Sequence, residues 1–175
     1  MQKQVVSEIA IIHGTVDSPK GFEIDRDKIK NDIINSFVTN KKFNDFDYEV
    51  PFSQPLQWFQ DYIRDFFRDK YSQTLIPKSN FGYILNPGQA SINRNTVDLV
   101  DLKNSPDYTL LYGVDIDDKL DVTIEYNDNR RANRSWTIAL QNNKFIIFPS
   151  MQRFYISENK TKRIQTILLT SYEYI

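Results

Sequence analysis

The stretch Asn143-Lys144-Phe145-Ile146-Ile147-Phe148-Pro149-Ser150 decides how the rest of the chain is read. Residues 144–148 form a short run of aromatic and β-branched character, with asparagines before it and Pro149 after it, the pattern of a strand held between turns. Runs of the same kind recur throughout the sequence beyond Pro77, at residues 81–85, 91–93, 97–102, 108–115, 121–126, 136–140, 153–157 and 161–171. Upstream of Pro77 the period changes. Ile29, Ile33, Ile34, Phe37 and Val38 fall at helical spacing within residues 25–39, where Asp25 can cap the first turn, and Leu56, Phe59, Ile63, Phe66 and Phe67 repeat the pattern over 56–71. An aliphatic run at 5–12, ended by Gly14, reads as one further strand, and 41–54 reads as a long connection closed by Pro51 and Pro55. Two helices followed by many antiparallel strands predict a mainly β, α+β fold: a jelly roll with two N-terminal helices packed on one sheet.

The totals bound what such a fold can be asked to do. At 175 residues the expectation is a single domain, 1–175, with the N-terminal strand and helices in 1–79 and the jelly-roll core in 80–175. A net charge of −1 gives no field that would gather nucleic acid or an anionic membrane, so neither is expected as a partner. The absence of cysteine excludes disulfides, thiolate metal sites and cysteine nucleophiles. No run approaches 18 apolar residues and the first residues lack a signal-peptide pattern, which points to the cytoplasm. Aromatic residues make up 14% of the chain, more than one core uses, so some are expected on interaction surfaces.

Four segments carry a family resemblance. Gly82-Tyr83-Ile84-Leu85-Asn86-Pro87-Gly88-Gln89, Tyr108-Thr109-Leu110-Leu111-Tyr112-Gly113-Val114-Asp115, the opening stretch 143–150 and Arg163-Ile164-Gln165-Thr166 follow one another in order. Together they resemble the phage and bacterial group of 2-oxoglutarate- and iron(II)-dependent oxygenases, whose strands are written Leu-Ser-Gly-Val-Tyr-Tyr and Gly-x-Leu-x-Leu-Phe-Pro-Ser at the second and third of these places. The resemblance covers about residues 80–175 and implies a double-stranded β-helix. It also implies that Arg163 matches the arginine gripping the distal carboxylate of 2-oxoglutarate, a bidentate pairing suited to a planar guanidinium.

The departures from that group concern its metal. The resemblance places a His-x-Asp pair just before the strand at 108–115, where this chain has Asp101-Leu102-Lys103-Asn104-Ser105-Pro106-Asp107, and a distal histidine where it has Arg153-Phe154-Tyr155. A facial triad needs two histidines and a carboxylate, and the sequence contains one histidine, His13. Asp101 and Asp107 would favour Mg²⁺ or Ca²⁺ over iron, although aspartates beside a turn are more often caps. The resulting expectation is a protein with no catalytic residues, no metal and no cofactor: not an enzyme, but a structural or assembly subunit on a degenerate oxygenase fold. The phage branch of the group and the Asn-, Lys- and Ile-rich composition direct that expectation to a virion component of the neck or tail, assembled in the host cytoplasm. The alternative is a divergent 2-oxoglutarate-binding oxygenase or sensor using Arg163.

Other chemistry is weakly represented. His13 lies at the end of an apolar run with no Gly-x-Ser-x-Gly elbow, and no phosphate-cradling glycine motif occurs. Trp58, Tyr62 and Tyr71 fall outside the apolar stripe of their helix, while Arg130, Arg131 and Arg134 cluster in and after the polar stretch 127–133. These six are the expected interface residues, facing other protein subunits in a homo-oligomer or hetero-assembly. A carbohydrate-binding jelly roll using Trp136 is the third reading.

Overall fold

The computed structural model describes residues 10–17, 23–40, 48–127 and 134–175. Nine strands form two antiparallel sheets. The larger has the order β1 (Ile12–Thr15), β7 (Lys144–Pro149), β4 (Tyr108–Asp115), β9 (Gln165–Tyr174), β3 (Leu75–Leu85), β2 (Tyr48–Glu49). The smaller has the order β6 (Arg134–Leu140), β5 (Leu120–Tyr126), β8 (Arg153–Ile156). Helices α1 (Arg26–Asn40) and α2 (Gln54–Tyr71) lie against the large sheet, as the helical periodicity leads one to expect.

The strand pleat explains why residues 144–148 are apolar without interruption. Phe145 and Ile147 face the helices together with Leu110, Tyr112, Leu168 and Tyr172, while Ile146 and Phe148 face the small sheet together with Leu111, Tyr83, Ile167 and Leu169. A sheet covered on both faces needs apolar side chains at every position, whereas a half-exposed one would alternate. From the helical side come Ile29, Ile33, Phe59, Ile63 and Phe67, all essentially inaccessible. Phe66, expected in that set, is half-buried, with its ring edge-on to Phe145 at 5.6 Å.

Local signals set the ends of the helices. Asp25 caps α1 as expected, its Oδ1 accepting the Lys28 N–H at 2.9 Å. α2 ends at Ser72 in the left-handed region (φ 54°), whose N–H donates to the Arg68 carbonyl at 3.1 Å. The Pro87-Gly88 turn also forms: Gly88 has φ 76°, and the Gln89 N–H closes back on the Asn86 carbonyl at 3.0 Å.

Three expectations about strands are corrected. β3 begins at Leu75, six residues before the sequence pattern starts, because a register shift between Pro77 and Ser79 lets the proline sit in the ladder where a central strand would exclude it. The runs at 91–93 and 97–102 are not strands. Apart from a single bridge between Arg94 and Phe154, this part of the chain is a loop with one short 3₁₀ turn, Leu102–Asn104. The connection before α2 contains the two-residue strand β2. The N-terminal strand is seen as Ile12–Thr15, and residues 5–9 of the expected run lie outside the described residues.

Candidate functional site

A cleft of about 480 Å³ opens where the middle of β3 and the end of β9 meet the loop between β3 and β4. β3 supplies Lys78, Ser79 and Phe81, β9 supplies Leu169 and Ser171, and the loop supplies Arg94, Thr96, Asp98, Asp101, Asn104 and Ser105.

Arg94 is held through both its backbone and its side chain. Its N–H donates to the Phe154 carbonyl at 3.0 Å and its carbonyl accepts the Phe154 N–H at 2.7 Å, so the backbone is locked to β8 in both directions. The guanidinium carbon lies 5.0 Å from the ring centroid of Tyr83 and 5.8 Å from that of Phe154, both rings buried. Contact with aromatic faces restricts where a guanidinium can lie. Phe154 is in turn fixed edge-on against Phe148 at 5.2 Å.

The loop that forms the opposite wall is braced by its own polar groups. Asp98 Oδ1 accepts the Val100 N–H at 2.8 Å, Asp101 Oδ2 accepts from Asn104 Nδ2 at 2.7 Å, and Ser105 Oγ accepts the Asp98 N–H at 2.9 Å. Thr96 is hydrogen-bonded to Thr109, which continues to Ser150 at 2.9 Å. Lys78 forms an ion pair with Glu173 and also donates to the Asn104 carbonyl, tying loop to sheet. Asp107, outside the cleft, accepts the Tyr174 N–H at 3.1 Å. Asp101 is therefore a cap of the 3₁₀ turn, the ordinary role of aspartate beside a turn, whereas Asp107 holds the end of β9.

Arg163 is not part of the cleft. It precedes β9, is exposed, and pairs with Asp117 at 3.1 Å. The first residue of β9 is Gln165, buried and donating from Nε2 to Asn159 Oδ1 at 2.9 Å. Gln165 lies four residues, about 13 Å along the strand, before Leu169 of the cleft. That end of the sandwich is closed by Asn159, which also donates to the carbonyls of Leu85 (2.9 Å) and Arg163 (2.8 Å).

The remaining expected site residues do not converge. Tyr62 is half-buried and used internally, its hydroxyl accepting the Asp17 N–H at 3.1 Å. Trp58 is half-buried, and Tyr71 is exposed beside Phe67, at 5.3 Å between ring centroids. Arg134 begins β6 in the small sheet, on the far side of the molecule from α2, and Arg130 and Arg131 lie outside the described residues. His13 is exposed on edge strand β1, three strands from β9, about 14 Å across the sheet, beside a groove it shares with Tyr126 and Trp136. Arg94 was missed by the sequence reading, although one signal marked it: it is the only charged residue between positions 88 and 97.

No protein-family model and no curated protein sequence matches this chain. Solved structures do. SnoK, a non-heme alpha-ketoglutarate-dependent carbocyclase from nogalamycin biosynthesis, superposes with a TM-score of 0.66 at 7% identity, over 94% of this chain and 79% of SnoK. The viral collagen prolyl hydroxylase of Paramecium Bursaria Chlorella virus-1, solved as its 2OG complex, gives 0.60 at 12% identity over 93% and 94% of the two chains. AviO1 from Streptomyces viridochromogenes Tue57 gives 0.62 at 8% identity over 94% and 90%. The fold is the double-stranded β-helix of the 2-oxoglutarate oxygenases. At such identities the likeness fixes the architecture and leaves the chemistry to the residues.

The iron of that fold group does not fit the residues present here. Among the described residues no three His, Cys, Asp or Glu side chains lie together as a ligand set, and the places that the resemblance gives to imidazole carry the Asp101–Asp107 loop and the buried ring of Phe154. The step from missing histidines to a protein that is not an enzyme is nevertheless corrected. Structures sharing the fold are a carbocyclase, a monooxygenase and prolyl hydroxylases, and missing histidines are weak evidence against an enzyme on such a scaffold. No helix among the described residues is long and apolar enough to cross a membrane.

Proposed function

We propose that this chain is a divergent protein of the oxygenase fold that binds 2-oxoglutarate, or a 2-oxo acid of similar size, in the cleft between β3, β9 and the β3–β4 loop, as an enzyme or a sensor. The observation that carries the reading is the place of Arg94. The resemblance puts the family's site at the loop before β4 and at Phe154; Arg94 lines the cleft together with that loop and is backbone-paired to Phe154, which supports the reading. The cleft is of small-ligand size, and its polar lining includes Arg94, the mutually bonded hydroxyls of Ser79 and Ser171, and Thr96, bonded to Thr109. A role in a virion neck or tail has no observation behind it in the fold or in the proteins that share it.

The test is thermal unfolding with 2-oxoglutarate, with and without Mn²⁺. A ligand at one hundred times its Kd stabilises the native state by about 2.7 kcal/mol, which for a chain of this size raises Tm by about 5–10 °C. No shift at millimolar 2-oxoglutarate, under either condition, ends the proposal.

A further inference from the structure

We infer that the cavity between α1 and β2 is a second ligand site, independent of the cleft, which takes the ammonium group of a short alkyl diamine on the free oxygen of Asp32. The cavity measures about 470 Å³ and is lined by Asp32, Asn35, Ser36 and Thr39 of α1, by Glu49 of β2 and by Pro51. It shares no lining residue with the cleft. Positions 32, 35, 36 and 39 recur at helical spacing and so fall on one polar face of α1, beside the face that buries Ile29 and Ile33. The Ser36 hydroxyl donates to the Glu49 carbonyl, which ties β2 to this face and brings a second carboxylate to the cavity.

Asp32 is the observation that points to a ligand. Its side chain is only 7% exposed, Oδ1 is paired with Lys28 one turn earlier, and Oδ2 is buried with no hydrogen-bond donor among the described residues. A carboxylate oxygen shut away from water without a donor is costly, and folded proteins rarely keep one. The lining then narrows the occupant. It carries two carboxylates and, among the described residues, no lysine or arginine, so the complementary charge is positive. Ca²⁺ takes about six to eight oxygen ligands, and no three acidic or imidazole side chains gather among the described residues. A guanidinium seeks both oxygens of one carboxylate, and Lys28 already holds Oδ1. An ammonium is a compact charge that needs one oxygen for each N–H, and Asp32 Oδ2 supplies the first. The volume leaves room for a short alkyl chain, and a diamine gives each carboxylate a charge of its own.

Calorimetric titration of the full chain with putrescine, methylguanidinium and Mg²⁺, each as the chloride at equal ionic strength, tests this. Putrescine is expected to bind saturably with a Kd of about 1 mM or tighter, at least about fivefold below that of either other cation. Asp32→Asn keeps the shape, removes the charge, and should weaken putrescine by about tenfold; Glu49→Gln, at an exposed position, should weaken it by about threefold. Far-ultraviolet circular dichroism confirms that each variant is folded. A parallel titration with 2-oxoglutarate should be indifferent to both substitutions. No saturation by putrescine up to about 20 mM would leave Oδ2 to water and overturns the inference. Mg²⁺ or methylguanidinium binding as tightly as putrescine overturns it too, as does unchanged putrescine affinity in folded Asp32→Asn or, should that variant not fold, in Glu49→Gln. Loss of both putrescine and 2-oxoglutarate in one variant would mark a change of the whole fold and also overturns it.

Discussion

Arg94 and Phe154 are joined twice, by a reciprocal pair of backbone hydrogen bonds at 3.0 and 2.7 Å and by the guanidinium lying 5.8 Å from the ring centroid. One residue comes from a long loop and the other from the inner face of the small sheet, so the pair fastens the cleft wall to the core. Phe154 is buried and in contact with Phe148. Phe154→Ala is expected to cost about 3–5 kcal/mol in urea unfolding, the usual range for removing a core phenylalanine. It should also weaken any ligand held through Arg94. A loss below 1 kcal/mol would mean that the loop is not anchored there.

Arg163 contrasts with Arg94. Both side chains of its pair with Asp117 are substantially exposed, at 63% and 40%, so screening by water leaves little net attraction. Arg163→Ala is expected to change stability by no more than about 0.5 kcal/mol and to leave the 2-oxoglutarate titration unchanged. A variant that loses ligand while remaining folded would return the binding role to Arg163.

Asn159 is buried and satisfies two carbonyls with its amide while its oxygen accepts from the Thr161 N–H, the Thr161 hydroxyl and Gln165 Nε2, at 2.8 to 3.0 Å. Asn159→Ala strands several of these groups away from water, at about 1–3 kcal/mol each where no replacement partner is reached. The expected total loss is about 3 kcal/mol or more. Asn159→Asp should be no better at pH 7, because it removes both donated bonds and buries a charge. Chemical unfolding of the two variants checks this, and near-native midpoints would show that water enters this end of the sandwich.

Two glycines are required by close approach. A Cβ on Gly82 would lie 2.5 Å from Ile33 Cγ2, and one on Gly113 would lie 2.0 Å from the backbone oxygen of Gln141. Ile33 is a side chain that can shift, so Gly82→Ala is expected to cost about 1–3 kcal/mol. The obstacle at Gly113 is main chain, next to the irregularity between Gly113 and Asp115, and Gly113→Ala should be the worse of the two. Thermal melts of both variants test that ranking, and the reverse order would contradict this packing of α1 on β3.

Alkaline pH should destabilise the protein once it passes the range in which exposed tyrosines titrate. Burial raises the hydroxyl pKa of Tyr172 and Tyr112 far above the ordinary value of 10, opposed at Tyr112 by Arg26, and burial together with Tyr174 and Asp107 raises that of Tyr108. The folded state keeps these protons where the unfolded chain releases them. Their contribution is therefore complete below about pH 10, the unfolded tyrosine value, and declines as pH rises above it. Denaturation midpoints measured from pH 8 to 11, followed with tyrosinate absorbance, should be flat at first and then fall. A midpoint that holds or rises above pH 10 would contradict the assignment.

Sequence alone determined the layers of the molecule. An uninterrupted apolar run such as residues 144–148 can be stable only with both faces covered, and the helical spacing of Ile29, Ile33, Phe59 and Ile63 supplies one of the covers, so the two-helix jelly roll is written in local patterns. Turn chemistry was equally legible, as at Asp25 and Gly88, because it depends on neighbours a few residues away. The cleft was decided only by tertiary structure. Arg94 and Phe154 are separated by 60 positions, and nothing in either local stretch says that they pair. Arg163, which matched a motif by spacing, lies outside β9, which begins at Gln165, so that two positions upstream the chain has already left the sheet. Composition could say that two imidazoles were missing, but which cation stands in that region depends on a loop folding back onto a strand.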